Sequence, residues 1–174
     1  GYLYTCCPPI KSEQDKEHLW FCIRKNLIDV IATDNCVFSK KLKYKYRYDF
    51  RKIPMGLPGV SVLLHILVTE AVKRKINMRD IIQKITYNPA TIFCLYPTKG
   101  DFIPNKSDAD VIIYNPKITW TIKTGKLNTV ADYSPYDGCK VQGKIEKVIF
   151  KGNIAVDNGR IVIDKPIGEF LKWR

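Results

Sequence analysis

Asp34 closes an apolar run: residues 28–38 read IDVIATDNCVF, and the stretch Ile28–Ala32 ends abruptly in Thr33-Asp34-Asn35-Cys36. A carboxylate beyond the carboxyl end of a buried strand lies where parallel α/β folds gather their ligands. There it can ligate a metal, act as a general base or cap a helix. Two other segments would share that end of a sheet: Cys6-Cys7-Pro8, after the first apolar stretch, and the Pro/Gly-punctuated turn Gly56–Gly59. Other reactive residues are sparse. The two histidines, His18 and His65, fall on predicted helices and read as structural. There is no HxH or HExxH pair, no Gly-rich phosphate loop and no serine nucleophile elbow. A catalytic zinc site takes three protein ligands, commonly His and carboxylate, so Asp34 alone cannot assemble one. The six cysteines (Cys6, Cys7, Cys22, Cys36, Cys94 and Cys139) are scattered without a CxxC, which reads as reduced thiols of a cytosolic protein.

The elements that would position Asp34 follow from periodicity. Residues 2–6 alternate as a short strand, stopped by Pro8-Pro9. Lys11–Asn26 predicts a helix, with Ser12 as N-cap and Asp15 completing a capping box. Ile28–Thr33 predicts a buried strand, so the order is a βαβ unit with parallel strands. Residues 39–52, SKKLKYKYRYDFRK, put Leu42 and the aromatics on even positions and most of the basic residues on odd ones, as an amphipathic ribbon would. A helix then carries Val60, Leu63, Leu64, Leu67, Val68 and Ala71 on one apolar face. Two shorter helices are expected at Met78–Thr86 and Pro89–Leu95, the second capped by Asn88.

After Tyr96-Pro97 the texture becomes short β runs: Ala109–Tyr114, Ile118–Ile122, Lys144–Phe150, Asn153–Val156 and Arg160–Ile163. Asp157-Asn158-Gly159 is a type I′ hairpin signal, and Pro166–Arg174 reads as an extended tail. The chain therefore divides into an α/β portion, 1–96, and a β portion, 97–174. At 174 residues and 45% hydrophobic content it can build a sizeable core and is not disordered. The longest apolar stretch is broken by His65 and is too short to span a bilayer. The net charge of +12 is spread along the chain, mostly as lysine. That favours a solvated surface over a nucleic-acid partner.

Taken together, these segments resemble the C-terminal portion of the dihydropyrimidinases and D-hydantoinases, cyclic amidohydrolases of the amidohydrolase superfamily. CPPIKSEQDKEHLW is similar to the family's SPPLR segment and the helix after it. IDVIATDNCVF is similar to a strand ending in TDHCPF, and FRKIPMGLPGV to F-x-x-IPNGLPGVE. TYNPATIFCLYPTKGDFIPNKSDADVIIYNP resembles NPAKxFGLYPxKGxIxxGxDADxVxxxP, a string hard to meet by chance in this order. The resemblance implies the last strands and helices of a (β/α)8 barrel in 1–96, followed in 97–174 by the C-terminal strands of a β-sandwich. A whole barrel takes about 250 residues, so this would be part of a longer enzyme.

The resemblance further implies a binuclear zinc centre whose histidines and carboxylated lysine lie upstream of the matched region, leaving Asp34 as its last ligand and proton acceptor. It implies that a cyclic amide, a dihydropyrimidine or a hydantoin, is held by main-chain groups of Cys7 and Met55. A cytoplasmic homotetramer without a membrane partner is expected on the same ground, as is inactivity of this chain without the upstream ligands. Asn35, Cys7, Met55 and Ser61 replace the family's histidine, serine, asparagine and glutamate. Those departures keep open a non-catalytic, dihydropyrimidinase-like interaction protein as the alternative.

Overall fold

Ser12 starts the first helix for a local reason. Its hydroxyl accepts from the Asp15 amide at 3.2 Å while the Asp15 carboxylate accepts from the Ser12 amide at 3.1 Å, the reciprocal box their spacing predicts. The computed structural model describes residues 1–171, so the last three residues of the predicted tail lie outside the described residues. Helix α1 spans Glu13–Arg24, α2 Lys40–Lys45, α3 Leu63–Arg74, α4 Met78–Ile85 and α5 Tyr87–Ile92. Strands β1 (Val111–Thr121), β2 (Lys140–Phe150), β3 (Asn153–Asp157) and β4 (Arg160–Ile161) form one antiparallel meander in sequence order.

Helix α3 links the two parts. Its Leu67 and Ala71 join Ile23 of α1, Ile76 and Ile81 of α4 in one buried cluster, with Trp20, Ile28 and Ile31 packed against it. At its start, Val62 meets Ile122 and Val141 in a second cluster beside the sheet. Arg74, in the last turn of α3, grips both carboxylate oxygens of Glu17 at 2.6 and 2.7 Å and Glu70 at 2.8 Å, stitching α1 to α3. No helix among the described residues is long and apolar enough to cross a membrane.

Several local expectations are corrected. Tyr2–Tyr4 is a 3-10 turn, and 28–33 is extended without a ladder, so no βαβ unit of parallel strands forms. A strand exists only where a neighbour exchanges backbone bonds with it. Here the Ile31 amide donates to the Lys84 carbonyl at 3.0 Å, and the parallel pairing shrinks to an isolated Asn35–Leu57 bridge. The amphipathic ribbon at 39–52 is overturned as well. Ser39 caps the short helix α2 by accepting from the Leu42 amide, and Lys43, assigned to the basic face, is wholly buried. Val60 lies outside α3 and is exposed, Val62 taking its place in the core. Helix α5 begins at Tyr87, so Asn88 is not its cap; its side-chain amide donates to the Asp29 carbonyl at 2.8 Å instead.

The β region follows its turn chemistry. Asp157 pairs with Arg160 across Asn158 and Gly159, whose φ values of 49° and 81° are the two positive angles of a type I′ turn. The expected strands 109–114 and 118–122 merge into β1, with its register broken between Asn115 and Thr119, around Pro116.

His65 is structural, as its apolar face predicts. It is buried, lies edge-on to Trp120 with ring centroids 5.1 Å apart, and its Nδ1 is 3.1 Å from the Gly143 carbonyl. A carbonyl only accepts, so Nδ1 carries the hydrogen. Burial pulls the His65 pKa below its ordinary 6.5, the Gly143 bond opposing in part. Because the folded value is the lower one, acid protonates the unfolded chain first. Stability should therefore hold above pH 6.5 and fall progressively below it. Urea midpoints at pH 7.5 and 5.5 measure this, and His65→Gln should flatten the slope.

Candidate active-site segments

Asp34 sits at the turn where the extended segment gives way to the Asn35–Leu57 bridge. Its φ of 46° is a left-handed value that Asp and Asn adopt more readily than most residues. The residue is exposed, and among the described residues no hydrogen bond or ion pair occupies its carboxylate. Asn35 points the other way. Its Oδ1 accepts from the Gly59 amide at 2.9 Å and the Val60 amide at 3.2 Å, fastening the 56–60 turn to the end of the extended segment. An amide oxygen has two lone pairs and can serve both donors. Asn35 thus has a clear structural task.

The neighbouring main chain completes the assembly. Cys36 N–H donates to Leu57 O at 3.2 Å, and Gly56 N–H donates to Thr5 O at 3.0 Å. A Cβ on Gly56 would stand 2.5 Å from the Cys36 carbonyl oxygen, an approach only glycine permits. The Tyr133 hydroxyl closes over the same turn, 3.4 Å from the Gly56 carbonyl. Burial and the charge of Asp132 push Tyr133 up to about 12, so it remains a donor at neutral pH. Three segments, 3–7, 34–36 and 54–60, are therefore held side by side through backbone. Cys7 is exposed next to Thr5 and Cys6, and Met55 is 41% exposed next to Gly56. Among the described residues, no hydrogen bond joins the side chains of Cys7, Asp34 and Met55 to one another.

Asp34 is a hard oxygen donor, suited to contribute one bond to a divalent ion. No group of three or more His, Cys, Asp or Glu side chains among the described residues could hold a metal. Asp34 could supply one ligand to a metal, and the described residues alone do not complete a site. All six cysteines are free. A cleft of about 1080 Å³ runs elsewhere, between α4, α5 and residues 98–112, with Ile82, Tyr87, Phe93 and Phe102 on its walls.

A D-hydantoinase of Ralstonia pickettii is 32% identical to this chain, the match covering 100% of the chain and 38% of the relative. The chain is a relative of the hydantoinases. A D-phenylhydantoinase of Escherichia coli is also 32% identical over 99% of the chain and 38% of its own length. A solved D-hydantoinase structure superposes with a TM-score of 0.94 at 32% identity, covering 99% of this chain and 38% of that one. The α/β fold is thus that of hydantoinase structures over nearly every residue, although no family model matches the chain. The chain spans about 38% of the length of the curated hydantoinases it matches.

Two residues now stand out in this hydantoinase relative that the sequence reading did not single out. Lys43 reaches Thr5, and Tyr133 reaches Gly56. Lys43 was masked by the six other basic residues of the 39–52 stretch, since nothing in a charge run marks the member that turns inward.

Proposed function

We propose that this chain is the C-terminal portion of a metal-dependent cyclic amidohydrolase that opens dihydropyrimidine or hydantoin rings at the amide C–N bond. In this reading residues 1–96 complete a (β/α)8 barrel and residues 97–174 supply strands of an accompanying β-sandwich. The observation that carries it is the backbone linkage of segments 3–7, 34–36 and 54–60, with the Asp34 carboxylate unpaired among the described residues, in a chain alike to hydantoinases over its whole length.

Asp34 would contribute one ligand to a zinc pair completed by residues outside this chain; the pair, when bound, supplies an activated water and polarises the amide carbonyl. The Asp34 carboxylate would take the proton released as water attacks, and would return it to the leaving nitrogen. Main-chain groups at Cys7 and Met55 would hold the ring. Main-chain recognition tolerates the side chains found there, because the peptide groups are unchanged by them. The backbone bonds from Gly56 to Thr5 and from Cys36 to Leu57 would keep both holders in register with Asp34.

Metal analysis and a ring-opening assay on dihydrouracil and hydantoin test the reading. The whole protein is expected to bind zinc and hydrolyse one of these rings. The 174-residue chain alone is expected to do neither. Stoichiometric zinc with ring opening from the chain alone would refute the shared-site reading, and an inactive, metal-free whole protein would refute the enzymatic one.

A further inference from the structure

We propose that Lys43 is a positioning residue for the substrate-holding main chain; the inference rests on the functional reading above. Its side chain is 0% exposed, and among the described residues no carboxylate pairs with it. The ammonium donates to three oxygens: Thr5 O at 2.9 Å, Thr5 Oγ1 at 3.0 Å and Leu3 O at 3.4 Å. A buried charge without a counter-ion is costly, and here burial lowers its pKa from the ordinary value. That cost is met by satisfying all three donors of the ammonium on one short segment.

The segment is the one that matters. Thr5 O, which receives Lys43, also receives the Gly56 amide at 3.0 Å, and Thr5 Oγ1 lies 3.4 Å from Pro54 O. One ammonium thus fixes a residue two positions before Cys7 and, through a shared carbonyl, the residue after Met55. The ring of Tyr133, which also bonds Gly56, lies 5.9 Å from the Lys43 nitrogen. Lys43 itself makes no hydrogen bond or ion pair with Asp34.

Lys84 supplies the control. It is equally buried, at 1% exposed, and also lacks a carboxylate partner among the described residues. Its ammonium bonds Asn26 Oδ1 at 2.6 Å and Ile28 O at 2.5 Å, away from the Thr5–Gly56 contact. Lys43→Met and Lys84→Met should cost comparable stability, each leaving carbonyls unsatisfied. They should differ in what else they change.

The experiment compares both variants in the whole protein by hydrogen exchange at the Gly56 amide and by steady-state kinetics on dihydrouracil and hydantoin. Lys43→Met is expected to lose protection at Gly56 and to lower kcat/KM by about 10²-fold, chiefly through KM, with metal content unchanged. Lys84→Met is expected to leave both readouts near wild type under conditions where it stays folded. Equal effects from the two variants, or full Gly56 protection in Lys43→Met, would overturn the proposal. Should the wild-type protein hydrolyse neither ring, the functional reading fails, and the exchange measurement still decides whether Lys43 holds the segment. If Lys43→Met does not fold, Thr5→Val, which removes one of the three acceptors, is expected to reproduce the KM rise in milder form; an unchanged KM there also overturns the proposal.

Discussion

Asp34→Ala in the whole protein is expected to abolish ring opening, with kcat/KM falling by about 10⁴-fold, because in the proposed mechanism one residue both ligates metal and moves the proton. The prediction is sharp because the substitution has little else to disturb. The carboxylate is exposed and unpartnered among the described residues. Its backbone is not neutral, however. At a φ of 46° alanine is strained by about 1–2 kcal/mol, whereas asparagine adopts that conformation readily. Asp34→Asn should therefore keep the wild-type urea midpoint, lose most of its activity and bind less zinc. Activity within tenfold of wild type in Asp34→Ala would remove Asp34 from the mechanism.

Gly56→Ala should damage the site through the backbone. The added methyl would meet Cys36 O at 2.5 Å and Cys36 Cβ at 2.7 Å. The nearest obstacle is main chain, so no rotamer change relieves the clash, and the 34–36 and 54–60 segments must part. A loss of about 3 kcal/mol is expected, at the upper end for overpacking. The Asn35–Leu57 bridge lies on that seam, and Gly56 also bonds Thr5 O of the neighbouring segment, so kcat/KM should fall further than the loss of folded protein explains. Gly125→Ala is the control: nothing lies within 4 Å of its added carbon, and both the urea midpoint and kcat/KM should be unchanged.

Much of this was legible where the determinants are local. The Ser12–Asp15 box and the Asn158-Gly159 turn each depend on residues a few positions apart and form as the spacing predicts, and α3 forms with Leu67, Val68 and Ala71 buried, only Val60 falling outside it. His65, read as structural on an apolar helix face, is buried beside Trp120. What failed was partner-dependent. Residues 2–6 and 28–33 have strand-like patterns, but a ladder needs a neighbour that local pattern does not supply. The 39–52 alternation suits a ribbon, yet the Ser39 cap and the acceptors around Thr5 draw the chain into helix α2 with Lys43 inward. For the candidate site, the sequence named the three segments that meet. It could not show that the Gly56 amide bonds Thr5 O and the Cys36 amide bonds Leu57 O, because hydrogen bonds between backbones leave little trace in residue type.

The break in β1 has a bearing on how the protein avoids sticking to copies of itself. Among the described residues β1 pairs only with β2, so its outer rim could accept a foreign strand. Yet Pro116 has no amide to offer, and the Lys117 amide donates to Asn115 Oδ1 at 3.0 Å. The rim is thereby cut into two short pieces, and the opposite border of the sheet, β4, is only two residues long. Neither side offers a continuous template on which fibrillar stacking could grow, although Ile112, Ile113 and Ile118 are exposed along β1.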